Sequence, residues 1–582
     1  MAEKDTRETK NQYYIAIGIF LILFSTSMIS VMVLNNSYGS LNVSTVSIPY
    51  EGSRLSGFLY RPIDASEDNK LPTVICAHGV SNSKFTMSGI ALEVARRGFI
   101  TLSLDLSGHG NSESISNDDS TLGITAAIAY LSSLPFANSS TLAVIGHSMG
   151  AGAARATAIS HGNVTATVLI GGATSDITNN FNSTFPKNLL IAVGEYDEFY
   201  RDVTLLTTEL AEVFGTISPI IPNHEYYGSF APENQNARRL VISETIHILE
   251  PIDPMIVSET VDWIQNALKP LEQVDEYYLP STNLIYTFRD ISLLLALFSI
   301  VGIFFPLIFL IYDLPAFSQE KEKFENQLDP LPIWKTSLIW GTLLILLYLP
   351  LSVIGMMLPI PPMRFASSIA LWLLCVAIIL VGAIYFLPRY FGSSFTINKD
   401  KLLQVREWLP IKGGLLAIAG FLSLYCIMFL FYTLLTIQFG FVIAIFSNIL
   451  VMERLISFVI VFPVFIVYFT IDGLFFHATG KQIDSNSDLQ EKIVSLSKFL
   501  LAKSWPFLIF TPIYILRILF GVNLLPGGLM ALSFQFYLVI GILFFVGSVM
   551  TWLWYRASKS IFPGAIFNSL IFVWILASAL PV

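Results

Sequence analysis

The sequence predicts an α/β domain with a mostly parallel sheet, joined to an all-α domain that crosses a membrane several times. Between residues 40 and 270, short apolar runs alternate with helical runs, a pattern typical of parallel strands covered by helices on both faces. The whole chain has 54% hydrophobic and only 13% charged residues, with a mean hydropathy of +0.64. A large part of the chain must therefore lie in lipid.

The uneven hydrophobicity predicts the domain boundaries. Basic residues Lys4, Arg7 and Lys10 precede the first apolar run, so the positive-inside rule places the N-terminus in the cytoplasm and the α/β domain outside. A cleaved signal peptide is the alternative, and it leaves the α/β domain outside as well. We expect a cytoplasmic N-terminus at 1–12, a transmembrane anchor at 13–34, an extracytoplasmic α/β domain at 35–289, and a polytopic domain with about eight helices at 290–582.

Loop charge and sequons support this orientation. Five N-x-S/T sequons precede residue 289 and none follows it. Basic residues flank the apolar tract 414–476 on both sides, which predicts two cytoplasmic loops and an even number of crossings between them. Residues 436–454 are then an outer interfacial segment. We predict an integral multi-pass protein of the cell membrane with its α/β domain outside.

The motif on which the α/β domain depends is G-x-S-x-G at residues 146–150. It follows the apolar run 142–145 and precedes an alanine-rich helical run. A strand that turns into a helix within one residue leaves no space for neighbouring Cβ atoms, which is why Gly146 and Gly150 flank the serine. Ser148 is therefore the candidate nucleophile.

A serine needs a base to remove its proton and a carboxylate to orient that base. Asp197 follows the apolar run 189–193, although Glu195 and Asp202 lie nearby as alternatives. His247 follows the run 240–243, whereas the rival His224 precedes it. Since active sites of parallel sheets lie at the C-terminal ends of the strands, we favour Asp197 and His247.

A tetrahedral intermediate also needs backbone N–H donors for its oxyanion. Met149 directly follows the nucleophile and supplies one. The loop His78-Gly79-Val80-Ser81 follows the strand that ends at Ala77, and the Val80 N–H is the candidate for the second.

These landmarks together resemble the α/β-hydrolase superfamily, of the serine esterase, lipase and peptidase type. They are His78-Gly79, the D-x-x-G-x-G-x-S pattern at 105–112, the elbow at Ser148, and then Asp197 and His247. The resemblance covers residues 40 to 270. It implies an acyl-enzyme mechanism, a structural role for Asp105, and no bulky lid between residues 173 and 187.

The predicted function is a membrane-bound serine hydrolase that cleaves an ester or amide, with lipids or lipid-linked molecules favoured because the site lies beside a bilayer. A peptide or other small-molecule substrate and an acyltransferase reaction are alternatives that use the same triad. A transporter or receptor whose hydrolase-like domain only binds ligand is the alternative outside the enzymes. The oligomeric state stays open.

Other function classes find no support. The chain has no H-E-x-x-H, C-x-x-C or P-loop motif, and its three cysteines are scattered, so we expect neither a metal nor a cofactor. A net charge of −9 without a basic patch argues against nucleic acid as a partner.

Charged residues within the apolar half lie near predicted span ends, where we expect them to reach toward the polar interface. They are Glu453, Arg454, Asp472 and Arg517.

Overall fold

The computed structural model describes residues 2–582 with gaps. The residues outside the described part are 1, 116–118, 173–175, 201, 225, 270–276, 318–332, 359–364, 392–410, 442, 447–450, 480–488, 510, 521–527 and 559.

An eight-stranded sheet forms the centre of the first domain, here named the sheet domain (residues 41–268). Its strand order is β1-β2-β4-β3-β5-β6-β7-β8. β1 and β2 form an antiparallel hairpin, β2 is antiparallel to β4, and all later neighbours are parallel. The strands are β1 Leu41–Tyr50, β2 Ser53–Pro62, β3 Leu71–Ala77, β4 Ile100–Leu104, β5 Ala137–His147, β6 Val164–Ile170, β7 Leu189–Gly194 and β8 Arg238–Ser243.

Helices cover both faces of this sheet, as the sequence predicts. Successive residues of β3 point to opposite faces: Val74 packs with one apolar cluster and Ile75 with the other. Helices α2 and α7 belong to the Val74 side, and α3 and α4 to the Ile75 side. The helices of this domain are α2 Ser88–Ala95, α3 Ile124–Ser133, α4 Met149–Ser160, α5 Asp176–Asn180, α6 Leu206–Glu209 and α7 Pro254–Leu268.

Long apolar helices make up the second part, here named the helical domain. Within the described residues, eight helices are long and apolar enough to cross a membrane, or nine if a bent pair forms one span. The helices are α1 Ala2–Asn35, α8 Tyr286–Tyr312, α9 Ile333–Met357, α10 Ala366–Phe391, α11 Ile411–Leu435, α12 Met452–Thr479, α13 Leu489–Leu508, α14 Thr511–Phe520, α15 Leu529–Ser558 and α16 Phe562–Ala579. A short hairpin of β9 Phe439–Phe441 and β10 Ile443–Phe446 lies between α11 and α12.

Hydropathy alone predicts one membrane span over residues 505–520, but the structure has a bent pair of helices there. Helix α13 ends at Leu508, and α14 begins at Thr511 with a bend of 49° between them. Pro512 has no N–H to donate to the preceding turn, but it is tolerated near the start of a new helix. The proline therefore accounts for two helices where hydropathy alone predicts one.

The expectation that charged residues of the helical domain reach toward the polar interface is wrong for Arg454 and Asp472, which lie buried in protein. Arg454 is fully buried and donates to the carbonyl oxygens of Leu580 at 2.8 Å and Gly108 at 3.1 Å. Asp472 is equally buried and pairs with Lys503 on α13. These bonds to protein groups offset part of the cost of burying the two charges, so the charges cost less than isolated ions in an apolar interior.

The helical domain is seated on the C-terminal edge of the sheet. Tyr432 on α11 accepts from Asn111, which follows β4, at 2.9 Å. Gln438 contacts Ser83, which follows β3, at 3.3 Å. Arg517 on α14 reaches the carbonyl oxygen of Tyr200, which follows β7. These contacts join the helical domain to the loops in which a parallel α/β sheet carries its active site.

A buried ion pair holds two of those loops together. Asp105 pairs with Lys84 and also accepts from the backbone N–H of Lys84 at 2.6 Å and of Asn111 at 2.8 Å. Burial raises the pKa of Asp105, but the Lys84 charge, together with neighbouring charge and the hydrogen bonds from Asn111 and Lys84, outweighs burial and holds the pKa below its usual value. The carboxylate thus stays charged at neutral pH and acts as a structural acceptor.

We expect Asp105→Ala to lower the free energy of unfolding by about 3–5 kcal/mol, because it leaves the Lys84 ammonium buried without its partner. Thermal unfolding of the purified protein in detergent measures the change. Asp68→Ala is the control, since Asp68 is exposed. Equal melting temperatures for both variants would contradict this role of the pair.

Candidate active site

The turn at Ser148 has the backbone that the G-x-S-x-G motif predicts. β5 ends at His147 and α4 begins at Met149, so Ser148 is the single residue between them, at φ 53° and ψ −116°. A non-glycine residue in such a conformation costs about 1–3 kcal/mol and is held in place by its surroundings. A Cβ at Gly146 would lie 2.1 Å from the Gly150 oxygen, and one at Gly150 would lie 2.4 Å from the Ala77 oxygen. Both glycines are therefore required.

A cavity of about 60 Å³ lies in front of this turn. Ser148 and His247 both line it, together with Val80 from the loop after β3. The opposite wall comes from α15 of the helical domain, through Leu532, Gln535, Phe536 and Val539.

His247 and Asp197 form a buried hydrogen-bonded pair. Asp197 lies in the turn after β7, and His247 is the first residue of a 3₁₀ helix that follows β8. The His247 Nδ1 is 2.8 Å from Asp197 Oδ2. Burial lowers the pKa of His247, but the charge and hydrogen bond of Asp197 outweigh burial, and the net pKa lies above the ordinary 6.5.

The rival residues lie elsewhere. Glu195 and His224 have exposed side chains. Asp202 is also exposed, and its carboxylate accepts from the backbone N–H of Thr204 at 2.9 Å, as a helix cap. The structure brings Asp197, and neither carboxylate rival, to His247.

The two candidate oxyanion donors lie next to the nucleophile. Met149 is the first residue of α4, where a helix leaves its N–H groups without internal acceptors. The Val80 loop comes close to the elbow, since a Cβ at Gly79 would lie 3.1 Å from the Ser148 Cβ. Across the described residues, neither the Val80 nor the Met149 amide donates a hydrogen bond to the protein. Both are available for an oxyanion.

Glu250 is a residue that the sequence reasoning missed. Its Oε1 accepts from the Gly194 N–H at 2.7 Å. Its Oε2 lies 3.4 Å from His247 Nδ1 and 3.2 Å from His147 Nε2. Burial, and then the charge of Asp197, raise the pKa of Glu250 well above its usual value, which favours the neutral acid. Its position three residues after His247 is the sequence signal that could have pointed to it.

Among the described residues, His147, His247 and Glu250 have ligand-type atoms within 4.8 Å of one another, close enough to hold a metal ion. The Nδ1 atom of His247, which faces Glu250, is already hydrogen-bonded to Asp197. His147 Nε2 is 3.1 Å from the His247 carbonyl oxygen, and burial lowers the pKa of His147 well below 6.5. We therefore interpret the cluster as hydrogen-bonded support for the loop that carries His247.

Glu198 connects this loop to the helical domain. Its Oε1 accepts from Gln535 Nε2 on α15 at 2.6 Å, and its Oε2 lies 3.4 Å from the backbone nitrogen of His247. The ring of Phe199 packs on the imidazole of His247, with centroids 4.6 Å apart. The base is thus held by its carboxylate partner, by an aromatic ring and by the second domain.

Comparison with known proteins matches part of the chain to a family model. Residues 68–275, just over a third of the chain, match the model for serine aminopeptidase, S33. No curated protein sequence matches the chain.

Several solved structures are similar to the sheet domain. An esterase from Pyrococcus furiosus is 17% identical over 40% of this chain and 96% of its own, with a TM-score of 0.31. A dienelactone hydrolase from Anabaena variabilis is 19% identical over 40% of this chain and 100% of its own, with a TM-score of 0.29. The ferulic acid complex of Est1E from Butyrivibrio proteoclasticus is 16% identical over 39% of this chain and 100% of its own, with a TM-score of 0.28.

The strand order, the strand-to-helix elbow and the family match show that residues 41–268 have the α/β-hydrolase fold. The chain thus joins a domain of this fold, from here on called the hydrolase domain, to a domain of long apolar helices.

The raised pKa of His247 leads to a prediction about pH. The imidazole must be neutral to accept a proton, so the reactivity of Ser148 should fall as the pH drops through a midpoint above 6.5. Asp197→Asn should lower the rate by about a thousandfold to ten-thousandfold. It should also move the midpoint to lower pH, because the negative charge that stabilises imidazolium is gone. The rate of covalent labelling by a fluorophosphonate, followed against pH, measures both effects.

Glu195→Gln is the matched control for that experiment. It removes a carboxylate two residues away whose side chain is exposed. Its rate and midpoint should equal those of wild type, and a midpoint unchanged in Asp197→Asn would remove Asp197 from its assigned role.

Proposed function

We propose that the protein is a membrane-bound serine hydrolase that cleaves an ester or amide through an acyl-enzyme. Ser148 is the nucleophile, His247 the general base and acid, and Asp197 the residue that orients His247. The observation that carries the proposal is the shared cavity: Ser148 and His247 line it together, and Asp197 holds the far nitrogen of the imidazole. A general base needs this arrangement and a ligand-binding domain does not.

The reaction follows from these positions. The Ser148 hydroxyl attacks the carbonyl carbon while His247 Nε2 takes its proton, and the resulting oxyanion accepts from the Val80 and Met149 N–H groups. His247 then gives the proton to the leaving alcohol or amine, which leaves an acyl group on Ser148. Water, deprotonated by His247, attacks this acyl group and restores the free serine.

We further propose that the helical domain spans the cell membrane and that the hydrolase domain lies outside it, where lipids or lipid-linked molecules are the nearest substrates. Eight long apolar helices in the described part of the chain support the spanning, and the positive residues in the first turns of α1, ahead of its apolar stretch, support the orientation. With these helices in the membrane, the cavity would lie next to the bilayer, which would raise the local concentration of membrane substrates.

A fluorophosphonate probe tests the catalytic proposal against the transporter or receptor alternative. We expect wild-type protein in membranes to be labelled and Ser148→Ala to lose labelling completely, because the probe reacts only with an activated serine. Ser160→Ala, an exposed position at the end of the same helix, is the control and should label as wild type does. Equal labelling of Ser148→Ala and wild type, or none of either, would contradict the proposal.

Cysteine accessibility tests the orientation. In a background with Cys375 and Cys426 changed to serine, Glu67→Cys should react with a membrane-impermeant maleimide on intact cells. Glu67 is exposed on the hydrolase domain, and Lys412 lies at the start of α11. Lys412→Cys should react only after permeabilisation. The opposite pattern would place the hydrolase domain in the cytoplasm.

A further inference from the structure

We infer that helix α15 forms the acyl-binding wall of the active site, and that the substrate is an acyl ester of a lipid in the leaflet next to the hydrolase domain. This inference rests on the proposed hydrolase function and names its substrate class. Three observations carry it. They are the apolar residues of the wall, the position of these residues along α15, and the hydrogen bond between the wall and the loop that carries Asp197.

The wall is one face of a helix. Leu532, Phe536 and Val539 recur at intervals of four and three residues, so they lie on the same side of α15, and all three line the cavity with Ser148. Sites for small molecules are commonly about 300–1,000 Å³. A cavity of about 60 Å³ therefore holds the scissile carbonyl group and not a whole acyl chain. The remainder of the substrate must extend beyond it, past these apolar side chains.

The position of the wall along α15 matches the depth at which the ester groups of a lipid lie in a bilayer. Helix α15 has 30 residues, about 45 Å at 1.5 Å each, whereas a bilayer core of about 30 Å needs about 20 residues. Arg556 lies in the last turn of α15 and marks the end far from the hydrolase domain. Counting about 20 residues back from Arg556 reaches Phe536, at the boundary between hydrocarbon and headgroups. Lipid ester groups lie at this boundary.

The wall is also bonded to the catalytic loop. Gln535 donates to Glu198, which lies next to Asp197 in the sequence and contacts the backbone of His247. Arg517 on α14 donates to the Tyr200 carbonyl oxygen at 3.2 Å, in the same loop. Two helices of the helical domain thus fix the segment that carries Asp197, so the wall keeps its position relative to Ser148.

The described residues between β6 and β7 contain only the five-residue helix α5, so they form no bulky lid over the site. Helix α15 lines the cavity in front of Ser148 instead. With α15 in the membrane, we expect the site to open toward lipid rather than toward water.

A bulkier side chain on the wall tests the inference. Val539→Trp should slow labelling by a dodecyl fluorophosphonate at least tenfold in protein reconstituted into phosphatidylcholine vesicles, because the indole blocks the path of the chain. Labelling by an ethyl fluorophosphonate, which has no long chain to place, should slow less, so the ratio of the dodecyl rate to the ethyl rate should fall at least tenfold. Val546→Trp is the control: it makes the same change on the same helix at an exposed position, and both probes should react as in wild type.

The outcomes separate this inference from the proposed function. If Val539→Trp labels with the dodecyl probe as fast as wild type, α15 is not the acyl wall, although the hydrolase function stands. If wild type labels with neither probe, the proposed function itself fails. Wild-type hydrolysis of soluble peptides without release of fatty acid from phosphatidylcholine vesicles would overturn the lipid ester as substrate.

Discussion

The buried hydrogen bond between His247 and Asp197 is the interaction on which the proposed chemistry depends. It fixes which imidazole nitrogen carries the proton, and in the proposed mechanism the other nitrogen accepts the proton of Ser148. Much of the surrounding structure supports it: Glu250 lies against the imidazole, Phe199 packs on its ring, and Glu198 contacts its backbone. A base held on several sides loses little orientational freedom when a substrate arrives.

The second organising feature is the placement of the helical domain on the C-terminal edge of the sheet. In a parallel α/β sheet that edge carries the active-site loops. Here the same loops also serve as the docking surface, through Ser83, Asn111 and Tyr200. Anchoring alone would need one helix at any surface position. A domain that instead covers the catalytic edge has a direct effect on which molecules reach Ser148.

The sequence predicted most of the hydrolase domain and little of how the second domain meets it. The strand-to-helix turn at Ser148 and the residues after β7 and β8 are local patterns, so they can be located from neighbours a few positions away. Glu250 was missed because a carboxylate beside the triad carries no motif. Gln535 contacts Glu198 although it lies 337 positions further along the chain. Hydropathy predicts only an apolar helix around Gln535 and gives no sign of this contact. The same limit applies to Arg454, whose acceptors become visible only once the helices are packed.

We propose that Ser148 carries an acyl group during turnover, and pre-steady-state kinetics with a p-nitrophenyl ester can detect this intermediate. We expect a burst of one p-nitrophenolate per active protein, with the acyl adduct found by mass spectrometry on the peptide that contains Ser148. Turnover without a burst, together with an adduct on another residue, would contradict it.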